Sequence, residues 1–177
     1  MALSPFGRIW YNGQRNSEKR WFFISVLKDK RTVSKADFIN VAHQIFVETM
    51  AFLTRLSARY SRLLAEPTAK LAGEVLDEAE KANSIYPSDE QRIRLRKAHL
   101  LEARASLMAL DVRLALCYEV IMQNPQGAFT NSAGQNVPPG KAEDKLEKMA
   151  QSLGGLIDRE NDLIKGALES LGRKKKA

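Results

Sequence analysis

From residue 34 onward, apolar side chains recur at intervals of three and four residues along the chain. This spacing places them on one face of a helix, because an α-helix turns once in about 3.6 residues. Helix-breaking residues divide the pattern into four segments, and 177 residues suffice for one hydrophobic core. The pattern predicts an all-α fold, an antiparallel up-down four-helix bundle over residues 34–172.

The first predicted helix begins at Ser34, which together with Asp37 can cap the exposed backbone amides. Its apolar stripe continues for about eight turns. We expect the stripe to reach Pro67, which either opens the second helix or kinks one continuous helix. The stripe consists of Phe38, Val41, Ala42, Ile45, Phe46, Thr49, Phe52, Leu53, Leu56, Tyr60, Leu63 and Leu64.

The second predicted helix runs to Asn83, and a break follows at residues 84–87. Ser88 and Gln91 have the spacing of a capping box and open the third helix, which runs to about Gln123. Besides its main stripe, this helix has apolar residues on an adjoining face. That arrangement predicts burial on two sides, either deep within the subunit or against a neighbouring subunit. The additional residues are Leu101, Met108, Val112, Leu116 and Val120.

Residues 124–140 are rich in Pro, Gly and Asn and lack helical periodicity. A connection of this length predicts a mobile segment or a binding loop. The fourth helix follows, and charged residues such as Glu160 are expected outside its apolar stripe. The pair Gly154-Gly155 interrupts this helix. Because glycine is unfavourable within a helix, the pair indicates close packing of the backbone against a neighbour.

The net charge of +7 is concentrated at the two ends of the chain. Residues 1–31 contribute +5, from seven Lys and Arg and two acids, and residues 173–176 contribute +4, which leaves −2 for the bundle. Basic extensions on a neutral body are typical of proteins that bind polyanions. The alternative is a solvated surface without a partner. The candidate binding residues at the two ends are Arg8, Arg15, Lys19, Arg20, Lys28, Lys30, Arg31, Arg173, Lys174, Lys175 and Lys176.

Residues 1–33 form a separate predicted segment, a basic arm, and residues 173–177 form a basic tail. The turn signal Asn12-Gly13 predicts a short β-hairpin in the arm. An aromatic and basic arm can dock on a partner protein or on nucleic acid, or it can cover the surface of its own bundle. The aromatic residues of the arm are Trp10, Tyr11, Trp21, Phe22 and Phe23.

A third group of cations lies on the predicted third helix, within about three turns. These residues predict a basic band that suits RNA or an acidic groove of a partner protein. Helical RNA would be bound by its shape, through phosphates and hydroxyls. The residues of the band are Arg92, Arg94, Arg96, Lys97 and Arg104.

The sequence contains no glycine-rich phosphate loop, no nucleophile elbow and no metal-binding histidine pattern, and His43 and His99 are far apart. We therefore predict no catalytic activity, no cofactor and no metal site. The single cysteine, Cys117, lies in an apolar helical run and is expected to be buried and unreactive.

One alternative interpretation is enzymatic. Arg94 and His99 resemble the Arg-x4-His string of HEPN ribonucleases, which are also helical bundles. Such a pair can orient a ribose hydroxyl and its phosphate for cleavage. Leu95 departs from that family's pattern, which usually has a polar residue directly after the arginine. Another alternative is a plain helical bundle that binds only a partner protein.

No apolar run approaches the roughly 20 residues that cross a bilayer. The first residues also lack the apolar stretch and the cleavage site of a signal peptide. We predict a cytoplasmic protein without a membrane partner.

Several short strings lie at the helix junctions and in the last helix: Ala82-Asn83, Ile85-Tyr86-Pro87, Arg113-Leu114-Ala115 and Leu153-Gly154-Gly155-Leu156-Ile157. With these strings, residues 36–168 resemble the accessory variability determinant (Avd) proteins of diversity-generating retroelements. The likeness extends to the relatives of these proteins that are encoded in intervening sequences of bacterial ribosomal RNA.

The resemblance implies a four-helix bundle that forms a barrel-like homopentamer with a basic surface. It also implies two partners, the reverse transcriptase of the retroelement and its template-repeat RNA, which together produce mutagenised complementary DNA. On this interpretation the protein is a non-catalytic accessory subunit, and the five cations of the third helix form its contact surface by charge.

Overall fold

The computed structural model of the chain describes residues 36–129 and 134–173. It contains four long helices: α1 (Asp37–Leu53), α2 (Ala58–Ser84), α3 (Glu90–Met122) and α4 (Pro139–Arg173). A short 3₁₀ helix, Pro125–Ala128, follows α3. The predicted all-α four-helix bundle is therefore confirmed. The predicted arm and hairpin, and the cap formed by Ser34, lie outside the described residues.

Side-chain bonds between neighbouring helices establish their directions. Arg104 and Tyr118 of α3 bond to Asn161 and Glu147 of α4, so the position along α4 falls as the position along α3 rises. The same antiparallel order relates α2 to α3, where Glu74 pairs with Ser106 and Glu78 with His99. Helix α3 thus runs opposite to both α2 and α4. Helices α1 and α2 pack side by side across a turn of four residues, so they reverse direction as well, as the up-down prediction requires.

Because the directions alternate, α1 and α3 begin, and α2 and α4 end, at the same end of the bundle. We call this end, where the described chain enters α1 and leaves α4, the proximal end. The α1–α2 turn and the 3₁₀ helix lie at the opposite, distal end.

The core is formed by the apolar stripes of the four helices, which are buried against one another. On α3 the buried positions recur every three or four residues, as the sequence pattern predicts. Cys117 belongs to this stripe and is buried, as predicted, and its burial raises the pKa of the thiol. The buried residues of α3 are Leu100, Ala103, Leu107, Leu110, Leu114, Cys117 and Ile121.

The first predicted helix is divided at a different place from the one expected. The helix is interrupted at residues 54–57, and α2 then continues through Pro67 to Ser84. The Thr54 hydroxyl donates a hydrogen bond to the Ala51 carbonyl at 2.7 Å, and Ser57 takes the extended N-cap conformation. Side chains that bond their own backbone favour such turns. Leu56 is buried within the turn, so the apolar stripe shows no gap there.

Pro67 lies within α2, where it removes one backbone donor. The next residue, Thr68, is buried and donates its hydroxyl to the Leu64 carbonyl at 2.7 Å. Of the two alternatives for Pro67, the one in which it opens a helix is therefore wrong. The proline lies within one continuous helix, and the tertiary packing of α2 tolerates it.

The cap of α3 is Asp89, not the predicted Ser88. One Asp89 carboxylate oxygen accepts the Arg92 backbone N–H at 2.9 Å, and Ser88 donates its hydroxyl to the other oxygen at 3.0 Å. Both residue types are good caps, and the aspartate adds negative charge at the positive end of the helix dipole.

The glycine pair of α4 has no close neighbour. The helix continues through Gly154 and Gly155, and an added Cβ at either position would meet no atom within 4 Å. The predicted close approach of the backbone is therefore wrong for the subunit. Gly154 instead lines a shallow apolar groove between α3 and α4, together with Leu114 and Ile157.

Part of the connection between α3 and α4 is packed against the distal end. Phe129 and Val137 are buried, and the Val137 N–H donates to the Phe129 carbonyl at 3.1 Å. Two cations flank the Phe129 ring, with the Arg55 guanidinium carbon 4.7 Å and the Lys145 ammonium 5.3 Å from its centre. Cation–π contacts of this kind anchor the segment on the α1–α2 turn and on α4.

Glu160 lies in the core, contrary to the expectation that it is one of the exposed charges of α4. Its side chain is fully buried, and neither carboxylate oxygen has a hydrogen-bond partner. Burial raises its pKa to about 8, because a charge is costly where water cannot solvate it. The residue continues the stripe of Leu153, Ile157 and Ile164. The spacing of these apolar residues therefore indicates that Glu160 faces the core.

Glu160 predicts an unusual pH dependence of stability. Its pKa is higher in the folded state than the ordinary value of 4.5. The contribution of Glu160 to the free energy of unfolding is therefore fully present below about pH 4.5, and it is lost as the pH rises to about 8. The loss is expected to be about 3 to 5 kcal/mol. Glu160→Gln should remove this slope, and Glu160→Leu should also raise stability at pH 8. Chemical denaturation at several pH values measures both effects.

The matched control is Glu143→Gln, an exposed carboxylate on the same helix. It should leave the slope between pH 5 and pH 8 as in the parent protein. A parent protein of equal stability at these two pH values would contradict the prediction.

Candidate nucleic-acid interface

The structure describes the side chains of five of the predicted binding residues, those on α3. Arg173 is the last residue of α4. The remaining candidates lie outside the described residues: Arg8, Arg15, Lys19, Arg20, Lys28, Lys30, Arg31, Lys174, Lys175 and Lys176.

The first cations of α3 are exposed and paired with acids of its first turn. Arg94 contacts Glu90 at 2.8 Å, four residues earlier, and both side chains are largely exposed. Arg92 contacts Asp89 at 3.4 Å and donates to the Ser88 hydroxyl at 3.1 Å. Exposed pairs of this kind contribute about 0.2 to 1 kcal/mol, so a phosphate can displace the acid at little cost.

Arg96 differs from these residues because it is half-buried. It donates a hydrogen bond to the Ile85 carbonyl at 3.0 Å, while its Nε is buried without a partner. Burial lowers the pKa of its guanidinium. Arg96 therefore fastens the α2–α3 connection to the first turns of α3, a structural contact that charge alone does not reveal.

Lys97 and Arg104 lie on the side of α3 that faces α4. Arg104 donates from its Nε to the Asn161 side-chain oxygen at 2.9 Å. It follows Lys97 by about two turns, and Lys97 is itself half-buried. Of the two, only Lys97 belongs to the start of α3.

The five cations do not form a band on one side of the helix. Residues two apart on a helix point in nearly opposite directions, about 160° apart, so Arg92, Arg94 and Arg96 cannot share a face. Four of them, Arg92, Arg94, Arg96 and Lys97, are instead spread over more than half of the circumference of α3 at its start, and we call these four residues the collar.

Other features meet this collar at the proximal end. The α3–α4 register places the end of α4 beside the start of α3, so Arg173, from which the basic tail continues, is at this end as well. The α2–α3 connection also lies here and carries Tyr86, an aromatic side chain that is 74% exposed. The sequence singles out Tyr86 as part of a junction string, not as a binding residue. The available signal was its place directly before Pro87 and six residues before Arg92, the first arginine of α3.

Arg94 and His99 do not meet on the subunit. Five residues of helix separate them by about 140° around α3. His99 uses its Nδ1 to contact Glu78 of α2 at 2.7 Å, and Arg94 pairs with Glu90. Lys81 and, to a smaller extent, His99 bond to the Glu78 carboxylate and lower its pKa. The histidine therefore has a partner in the fold, and no observation favours the HEPN-like alternative.

Metal-binding and membrane-spanning features are both missing from the part of the chain that the structure describes. This part holds no group of three or more His, Cys, Asp or Glu side chains placed to bind a metal ion. None of its helices is long and apolar enough to cross a bilayer.

Comparison of the chain with protein-family models, with curated proteins and with solved structures found no match. The likeness to accessory variability determinant proteins consequently stays a prediction from the sequence.

Arg96 leads to a test that separates structure from binding. Arg96→Lys keeps the charge but loses the bond to the Ile85 carbonyl, so it should destabilise the fold by about 1 to 2 kcal/mol. Arg94→Lys, an exposed neighbour, should change stability by less than about 0.5 kcal/mol. Thermal unfolding measures both. Equal stability of the two variants would contradict the structural role of Arg96.

Proposed function

We propose that this protein is a non-catalytic, RNA-binding accessory subunit of a diversity-generating retroelement. It binds template RNA through the proximal end of its bundle and associates with the reverse transcriptase that copies this RNA. The observation that supports the RNA-binding part is the convergence of the α3 collar, Arg173 and the exposed Tyr86 at one end of the molecule.

The charge distribution supports binding at an end. The bundle between the basic arm and the basic tail carries −2, while the whole chain carries +7. A nearly neutral body gives no general attraction for polyanions, so RNA affinity comes from the cations outside it and from exposed cations such as Arg94.

Tyr86 adds a second type of contact. Aromatic rings stack on unpaired bases, and this contribution is about 1 to 3 kcal/mol for each base. Arginines beside an exposed ring bind the phosphates of the same strand. Tyr86 and Arg92 therefore favour single-stranded or looped RNA over a continuous duplex.

The reverse transcriptase is part of the proposal because the sequence resembles accessory variability determinant proteins, which implies this partner. An accessory protein without chemistry of its own acts by holding two partners together, and a helical bundle supplies rigid surfaces for both. Association of several copies, which the resemblance puts at five, is part of this proposal.

Paired substitutions test RNA binding at the proximal end. Arg94→Gln with Lys97→Gln removes two collar charges and should weaken the binding of a single-stranded RNA oligonucleotide. The slope of log affinity against log salt should fall by roughly 0.7 for each phosphate that is no longer neutralised. Tyr86→Ala should weaken binding by about tenfold or more, while Tyr86→Phe should not, because the stacking ring is retained. Fluorescence anisotropy over a salt series measures these effects.

The matched control is Lys141→Gln with Lys148→Gln, two exposed lysines of α4 towards the distal end. It removes the same charge and should leave the salt slope unchanged. Equal weakening by both double variants would refute binding at the proximal end. Absence of RNA retention by the parent protein at low salt would refute RNA binding altogether.

The partner is tested by copurification with the reverse transcriptase of the same retroelement. We expect a complex that survives gel filtration and that carries the template RNA. If the purified reverse transcriptase and this protein elute separately in the presence of that RNA, the accessory role is wrong.

A further inference from the structure

One side of α3 is apolar yet exposed. Leu101 is 53%, Met108 40%, Val112 69% and Leu116 41% exposed. They follow one another at intervals of seven, four and four residues, so they form a continuous line along the helix. We call these four residues the outer face of α3.

The outer face lies opposite the core. With about 100° between successive residues, its centre is roughly 180° from the centre of the buried stripe. Four of the five residues of the predicted second apolar face of α3 are therefore exposed on the subunit, while the fifth, Val120, packs against the core. A helix that is apolar on two opposite sides is unusual at the surface of a protein that does not associate.

Charged residues border the outer face, about 90° to either side of its centre. One border carries Arg104 and Asp111, seven residues apart, and the other carries Glu102 and Arg113, eleven residues apart. The midpoint of both pairs is the same point of the helix, between Leu107 and Met108.

A shared midpoint makes the outer face complementary to itself. If a second copy lies against it in the opposite direction, about a two-fold axis at this midpoint, each border meets the same border of the other copy. Arg104 then lies opposite Asp111 of the other subunit, and Glu102 lies opposite Arg113. The two apolar lines interdigitate between these charge pairs, as a and d residues do between e and g residues in a coiled coil.

We propose that the outer face of α3 is an interface between two copies of this chain, paired antiparallel about a two-fold axis beside Met108. The self-complementary charge order selects a second copy as the occupant, since an unrelated protein would not require opposite charges at equal distances from one midpoint. The inference goes beyond the proposed function and does not rest on RNA or on the reverse transcriptase.

The first test measures mass in solution. The parent protein at tens of micromolar should have the mass of a dimer, or of a larger assembly with two-fold symmetry such as two rings of five joined through α3, by light scattering. Val112→Glu places a carboxylate within the apolar line and should weaken the association by about tenfold or more. The residue is 69% exposed and glutamate is a good helix former, so the fold of the subunit is retained.

The matched control for this substitution is Leu63→Glu on α2. Leu63 is equally exposed, at 68%, but lies outside the outer face, so this change should leave the mass unaltered. Circular dichroism verifies that both variants remain folded.

The second test is a charge exchange. Glu102→Arg and Arg113→Glu should each weaken the dimer, because each places like charges opposite one another. The double variant should restore it, because the complementary order is recovered with the signs reversed. Within one subunit the two residues are about 16 Å apart along the helix, so recovery has to arise between subunits.

The third test determines whether the two paired α3 helices run antiparallel. Met108→Cys lies at the proposed axis, so mild oxidation should link two copies through it. Leu116→Cys should not form a link, because the antiparallel order separates the two positions 116 by about 26 Å along the helices. The native Cys117 is buried and leaves the parent protein as an unlinked control.

Four outcomes would overturn the inference. They are a monomeric parent protein, a mass that Val112→Glu leaves unchanged, a double charge variant that associates no better than the single ones, and equal linking at positions 108 and 116. A pentamer that is insensitive to Val112→Glu would refute the α3 interface and leave the proposed function standing. A dimer that responds as described but binds no RNA would refute the proposed RNA binding and leave the α3 interface standing.

Discussion

Burial of four apolar stripes in one common core is the constraint on which the rest of this structure depends. Short connections at residues 54–57 and 85–89 force successive helices to reverse direction. Reversal in turn brings the start of α3 and the end of α4 to the same end of the bundle. Positions that are far apart in sequence, such as those of Arg94 and Arg173, come to lie at the same end of the bundle in this way. The binding surface that we propose is thus a consequence of chain direction.

The core also tolerates groups that weaken it. Glu160 places a carboxyl group among apolar side chains without a hydrogen-bond partner, and Pro67 interrupts the backbone bonding of α2. Each costs stability that the apolar contacts of the long helices offset. The fold therefore depends on summed burial, and single polar contacts such as that of Arg96 serve mainly to hold connections in place.

The sequence predicts the elements better than it predicts their ends and their roles. Long amphipathic spacing identified all four helices, since periodicity reports directly which side of a helix is buried. It could not locate the α1–α2 turn, because Leu56 continues the stripe through the turn itself. It also treated arginines as one group, although Arg96 is half-buried against the Ile85 carbonyl and Arg94 is exposed. Such differences arise from tertiary contacts, which charge and spacing in a single sequence do not encode.

The proposed RNA site and the proposed subunit interface use different parts of α3, and this separation has a geometric consequence. Pairing about a point beside Met108 leaves the two starts of α3 at opposite ends of the dimer. The two copies of Arg92 would be about 46 Å apart along the helices. A single RNA could contact both collars only by following the length of the dimer. Arg104, which is near the proposed axis and bonded to Asn161, would then face the other subunit rather than RNA. The positive charges of α3 all suggest nucleic-acid binding in the sequence. In these proposals those at the start of the helix contact RNA, and Arg104 contacts the other subunit.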